Sequence, residues 1–176
     1  GIKISSGQYI LFLDADDWLF PNGIEAAVKV MELNQDAAFI SGAFKWTNLQ
    51  GYIGVSNPVV FSNPYLSLLE HNYIGMHGTV LYRRSIIEKF CFDTNLEAFE
   101  DYDLYLQISK NHLVLHHDIY MAMYRKHGGN MSDNDAKMLN ELQRLYPQVR
   151  VITHPQNRGY GAALRTGLSS AIKEWV

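Results

Sequence analysis

The chain has 176 residues, enough for one domain with a sizeable core, and its 47% apolar composition excludes a disordered protein. A net charge of −3 gives no bulk attraction to nucleic acid, no apolar run approaches the roughly 20 residues of a membrane-spanning helix, and the lone Cys91 has no internal disulfide partner. The first residues lack a signal-peptide pattern, so the expected location is the cytoplasm, peripheral to a membrane through the parent protein.

Tyr9 to Leu13 is a continuous apolar run of strand length, the pattern of a strand buried on both faces, and it stops at Asp14, Asp16 and Asp17. Pro21 opens a segment with Ile24, Ala27, Val28 and Met31 at 3-4-3 spacing, which predicts an amphipathic helix ending near Asn34. Ala37 to Trp46 reads as a strand, Asn48 to Pro64 as loop, and Tyr65 to Glu70 as a short helix. Thr79 to Tyr82 has strand character and leads into one or two helical turns through Phe90. Glu100 to Asn111 contains no Pro or Gly, and Asp101, Leu104, Tyr105 and Ile108 fall at i, i+3, i+4 and i+7, so Asp101 shares the buried stripe of a helix. Leu113 to Leu115 and Ile119 to Tyr124 are two short β-prone runs before a Gly128-Gly129-Asn130 loop. Ser132 with Asp135 forms a capping-box pattern for a helix whose apolar face is Met138, Leu139, Leu142, Leu145 and Tyr146. A strand over Val149 to Thr153 follows, then a turn at Asn157 to Gly161 and a helix to about Ile172.

Two carboxylates at i and i+2 just past a strand, Asp14 and Asp16, converge on one cation if the backbone turns there, and oxygen ligands favour Mg²⁺ or Mn²⁺ over zinc. Acids in this position also cap helices or solvate loops. A fully apolar strand before them and Trp18 with a Pro-initiated helix after them put the charge at the C-terminal edge of a sheet, where ligands of open α/β folds bind. Glu100 and Asp103 are explained by the helix dipole alone, whereas Asp101, aligned with apolar residues, is placed to be desolvated and to accept a proton from a hydroxyl. In the Tyr124 to Asn130 segment Arg125 suits a phosphate, and His127 either completes a metal shell or belongs to a solvated basic loop. His77, His112, His116, His117 and His154 lack metal-ligand spacing and read as structural. The 12% aromatic content suits a carbohydrate surface or a Tyr-rich core equally.

Together the segments Ser6 to Leu19, Phe99 to Leu106 and Tyr124 to Ser132 resemble glycosyltransferase family 2, inverting enzymes of GT-A fold. The resemblance implies an α/β, Rossmann-like partial GT-A fold with a mostly parallel sheet flanked by helices and without the usual N-terminal nucleotide-binding strands. It implies Asp14 and Asp16, with His127, as metal ligands for Mn²⁺ or Mg²⁺, and Asp101 as general base. Asp17, Trp18, Glu100, Arg125 and Arg158 complete the set as substrate-binding residues. The implied partners are a nucleotide-sugar donor and a saccharide or lipid-linked acceptor, with no nucleic acid.

Residues 146 to 167 resemble the part of the same fold that precedes the acidic strand, and positions 1–10 and 167–176 cover one family segment twice. The expected organisation is therefore an acceptor-side part over 1–133 and, over 134–176, a helix-strand-helix segment similar to the upstream part of a second module. Two alternatives stay open on the residues. One is a non-catalytic glycan-binding or assembly module; the other is a haloacid dehalogenase-type phosphohydrolase, which Asp14-Ala15-Asp16 also resembles but Trp18 does not suit.

Overall fold

A computed structural model of the chain describes residues 1–51, 53–56, 60, 62–96, 98–127, 130, 143–144, 152, 154–156, 165–166 and 169–170. The chain divides into two compact units, Gly1–Asp133 and Asn134–Val176. In the second unit, His154 Nε2 and Thr166 Oγ1 share a 2.9 Å hydrogen bond. The capping box at Ser132, the Met138 to Tyr146 helix, the Val149 to Thr153 strand and Arg158 lie outside the described residues.

In the first unit, strands β1 (Tyr9–Ile10), β2 (Trp18–Leu19), β3 (Phe39–Asn48), β4 (Ile53–Val55), β5 (Val80–Arg83) and β6 (Val114–Lys126) form one sheet. Its order is β1-β5-β3-β6-β2, with β4 pairing the far half of β3. Helices α1 (Pro21–Leu33), α2 (Pro64–Glu70), α3 (Arg84–Ile87) and α4 (Glu100–Ser109) accompany it. Alternation along the strands sorts the core into two layers. Ile40 and Leu81 pack with Ala27, Met31 and Met121, while their neighbours Phe39 and Tyr82 pack with Leu68, Leu104, Tyr105 and Ile108.

α1 begins at Pro21, whose fixed φ suits the first helical position, and lies so close to β6 that a Cβ on Gly23 would stand 2.5 Å from Met121 Cα. Its C-terminal end is held by the buried Arg83. That guanidinium donates from Nη2 to Met31 O (2.8 Å) and Asn34 O (3.0 Å), and from Nε to Ala37 O (2.9 Å), satisfying carbonyls that the helix cannot. α2 is opened by Asn63, whose side chain accepts from Leu66 N.

The α/β architecture agrees with the sequence, but three details differ. The sheet is mixed rather than mostly parallel: among the described pairings only β3–β6 is parallel, and β1–β5, β3–β5, β3–β4 and β2–β6 are antiparallel. Periodicity reports which faces are buried and not strand direction, so a strand buried on both faces read as parallel. The Tyr9 to Leu13 run pairs over its first two residues only, because Phe12 leaves the sheet to pack on His77 (4.9 Å) and edge-on to Tyr82 (5.9 Å). The two β-prone runs after Leu113 are one strand. Its register against β3 shifts at Gly42/Ala43 and Ala43/Phe44, and that bulge breaks the sequence pattern without ending the strand.

Candidate active site

The short β2 delivers the acidic segment to the end of β6. Trp18 pairs with Met123 and Leu19 with Ala122, so the residues before β2 lie beside those after Tyr124. A turn closed by Asp17 N donating to Asp14 O (3.2 Å) folds the acids back on themselves. Asp17 Oδ1 then accepts from Arg125 N (2.8 Å), and the Arg125 guanidinium sits 5.5 Å from the Trp18 ring. His127 Nε2 donates to Asp16 Oδ2 at 2.7 Å across 111 positions of sequence. Asn130 braces this end, accepting from His127 N (2.5 Å) and donating to Arg125 O (3.0 Å).

The bond from His127 holds the Asp16 carboxyl below the ordinary aspartate value, with Asp16's own backbone N–H and the nearby cationic side chains adding to it. Asp17 behaves oppositely, raised chiefly by burial. Asp16 is thus a stable anion whose side chain remains 40% exposed, and it faces outward with His127.

The second carboxylate station is α4. Phe99, the residue before the helix, has φ 65°, a left-handed conformation that is strained for a bulky side chain. The helix starts on its carbonyl, with Asp103 N donating to Phe99 O (2.8 Å), and carries Glu100, Asp101 and Asp103 in its first turn. Asp101 is turned inward, as its spacing with Leu104, Tyr105 and Ile108 predicted. Oδ1 accepts from Tyr102 N (2.7 Å) and Oδ2 from the Tyr105 hydroxyl (3.3 Å). Burial raises its pKa above the usual aspartate value, and the charge of Asp14 raises it further. Asp14 and Glu100 both act on His77, which burial depresses to about 4.

The structure therefore brings Asp16, Asp17, Trp18, Arg125 and His127 together, and Asp14 within electrostatic reach of Asp101. Arg158 is outside the described residues. Among the described residues no three His, Cys, Asp or Glu side chains gather into a metal cage. The donor set still suits a hard cation: Mg²⁺-type ions bind through one or two carboxylates and complete their shell with water and substrate phosphates. Sequence reasoning missed Phe99, whose left-handed φ leaves no trace in composition, and Tyr105, which read only as core. Of the histidines expected to be structural, His116 has its Nδ1 bonded to Ser41 Oγ (2.9 Å), and His117 Nδ1 accepts from Ile119 N (3.1 Å).

An acidic turn at a sheet edge and a buried helix-borne aspartate in an α/β fold are the features that resembled a glycosyltransferase in the sequence. The family model for glycosyl transferase family 2 matches residues 1–91 and 128–176, and the chain belongs to that family. It is 34% identical over 116 residues to an uncharacterized glycosyltransferase of Rickettsia bellii, covering 65% of this chain and 16% of the relative. It is 29% identical over 151 residues to the Escherichia coli UDP-Glc:alpha-D-GlcNAc-diphosphoundecaprenol beta-1,3-glucosyltransferase WfgD, covering 82% of this chain and 55% of that one. Among solved structures, S. aureus TarS matches with a TM-score of 0.52 at 17% identity, over 98% of this chain and 32% of TarS, which is a likeness of fold. The chain spans between 16% and 59% of the length of the curated relatives it matches. No helix among the described residues is long and apolar enough to cross a membrane.

Proposed function

We propose that the chain is the acceptor-side part of an inverting, Mg²⁺- or Mn²⁺-dependent transferase that moves a sugar from a nucleoside-diphosphate donor to a hydroxyl acceptor. The observation that carries this reading is the separation of two carboxylates into opposite environments: Asp16 is depressed and outward-facing, Asp101 raised and buried. Groups whose surroundings push their pKa values apart take different chemical roles. Asp101 is the general base. Held by hydrogen bonds from Tyr102 N and the Tyr105 hydroxyl, it takes the proton of an acceptor hydroxyl as that oxygen attacks the anomeric carbon. The nucleoside diphosphate leaves from the opposite face, and single displacement inverts the centre.

Asp14 and Asp16, with His127, would hold the cation, which when bound neutralises charge on the departing diphosphate. Arg125 is available to a phosphate oxygen, Asp17 and Trp18 border it, and Glu100 opens α4 beside Asp101. The activity in WfgD's name, on a diphosphoundecaprenol-linked sugar, supports a lipid-linked saccharide as the acceptor class, reached by a protein peripheral to the membrane. We further propose that 134–176 derives from the upstream part of a second module. Family membership removes the basis for the phosphohydrolase alternative.

Isothermal titration calorimetry with a nucleoside diphosphate, in Mn²⁺ and in EDTA, tests the donor site. Binding that requires the cation is expected; equal binding in EDTA would refute metal dependence. Titrating a saccharide acceptor separately tests the non-catalytic glycan-binding alternative, which takes acceptor but no nucleotide.

A further inference from the structure

β3 and β6 run parallel and end together, with Asn48 opposite Lys126, at the same end of the sheet to which β2 brings the acidic turn. The β3–β4 hairpin forms a rim of that end. Its turn is closed by Gly51 N donating to Asn48 O (3.0 Å), with Gly51 at φ 78°, and Leu49 in the turn is 79% exposed. Ile53 and Val55, each more than half exposed, share one face of the hairpin with their partners Thr47 and Lys45. The other face carries Trp46, whose ring lies so close to Gly54 that a Cβ there would stand 2.2 Å from Trp46 Cε2. Among the described pairings β4 pairs with β3 alone, so it is an edge strand. Its sequence Ile53-Gly54-Val55 has none of the charges by which natural edges avoid pairing with another chain.

The charge pattern says what covers this rim. Between Asp36 and Glu70 the sequence has no acid, and Lys45 is its one Lys or Arg. Three cations stand behind the apolar residues, each beside an aromatic ring: Lys45 Nζ at 4.7 Å from Tyr120, Lys126 Nζ at 4.3 Å from Trp46, and Arg125 at 5.5 Å from Trp18. The carboxylates of this end, Asp16 and Asp17, are engaged by His127 and by Arg125 N. Exposed apolar side chains backed by aromatic rings and cations suit the membrane interface, where rings sit at headgroup level and Lys or Arg meets anionic lipid. A second copy of the chain fits less well, because a symmetric contact sets the same cations against each other.

We propose that this hairpin end docks the protein on an anionic phospholipid surface, with Leu49, Ile53 and Val55 entering the acyl boundary and Lys45 and Lys126 meeting headgroup phosphates. The choice of a lipid surface rests on the lipid-linked acceptor reading above; the apolar rim and its cations do not. Docking by this end holds the acidic turn at the membrane surface, where a diphosphate-linked lipid presents its sugar.

Co-sedimentation of the full chain with vesicles tests this. Partitioning onto phosphatidylglycerol and phosphatidylcholine in equal parts is expected to exceed that onto phosphatidylcholine alone by at least about tenfold, and to weaken as salt rises. Equal partitioning onto both, or none onto either, would overturn the proposal. Ile53→Thr with Val55→Thr keeps β-branched side chains in the strand and is expected to weaken partitioning by about tenfold. Leu49→Gln, in the turn and outside any strand, is expected to do the same by severalfold. Lys45→Gln with Lys126→Gln is expected to lose about tenfold on the anionic vesicles and little on the neutral ones. Partitioning unmoved in Leu49→Gln and in the Ile53 and Val55 variant, with native circular dichroism, would overturn the assigned surface. So would a dimer in sedimentation velocity that the Ile53 and Val55 changes abolish, without vesicle binding, which would give the edge to a second copy. Transfer assays separate this proposal from the function on which it builds. Leu49→Gln is expected to transfer normally to a water-soluble saccharide and severalfold more slowly to a lipid-linked one in vesicles. Vesicle binding without any transfer removes the transferase reading and leaves the docking; transfer without vesicle binding removes the docking alone.

Discussion

Asp16 and Asp101 are the same residue type in one small unit, yet their surroundings drive them apart. Asp16 sits on a turn at the sheet edge, partly in water, with an imidazole N–H 2.7 Å away that favours its anion. Asp101 sits inside the first turn of α4, against Tyr105, where loss of water disfavours its anion and the charge of Asp14 adds to that cost. A carboxylate kept ionised suits a cation; one kept hungry for a proton suits a base. Burial, not residue type, divides the labour.

The sharpest way to break this contrast is Asp101→Asn. Transfer is expected to fall by about 10²- to 10⁴-fold in kcat, with donor binding by calorimetry unchanged. The same change is expected to raise the melting temperature at neutral pH. Because the folded pKa of Asp101 lies above its unfolded value, ionisation costs nothing below the unfolded value and destabilises increasingly as pH rises to the folded one; Asn escapes that cost.

Asp16→Asn probes the other side. Cation-dependent nucleotide affinity is expected to drop by at least about tenfold, with little effect on metal-free folding. Its stability linkage has the opposite sign: the depressed pKa contributes stability above the unfolded value, lost as pH falls through the folded one.

A pH profile of kcat sharpens the comparison without mutation. The base works only as the anion, so activity is expected to fall as pH drops through the raised pKa of Asp101, placing the acid limb above the ordinary aspartate value of 3.8. Asp14 and Tyr105 are the titratable groups acting on it, and Tyr105→Phe, which removes a donor favouring the anion, moves the limb higher. The smallest effect is expected at the seam between the stations: Asp17→Ala loses the bond to Arg125 N and costs about 1 kcal/mol, a melting-temperature decrease of a few degrees.

Much of this site was legible in the chain itself. The apolar run ending in acids marked Asp14 and Asp16, and helical spacing turned Asp101 inward among Leu104, Tyr105 and Ile108, because periodicity is a direct record of which side meets the core. Strand direction was not legible, nor was the unity of β6, since a bulge shifts the alternation by which strands are recognised. The left-handed Phe99 left no signal because that conformation is not one a bulky side chain prefers.

Order along the chain determined which groups are present: carboxylates past a strand, an inward aspartate in a helix, a basic loop later. Only the tertiary structure decided how those groups act. The bond between Asp16 and His127 spans 111 positions, and Asp101 lies in the core that α4 makes with β5, where Tyr105 packs beside Phe39 and Tyr82. A pKa depends on what surrounds a group within a few ångströms: the largest influence on Asp16, His127, comes from a distant part of the chain, and Asp101 owes its raised value to burial in the folded core.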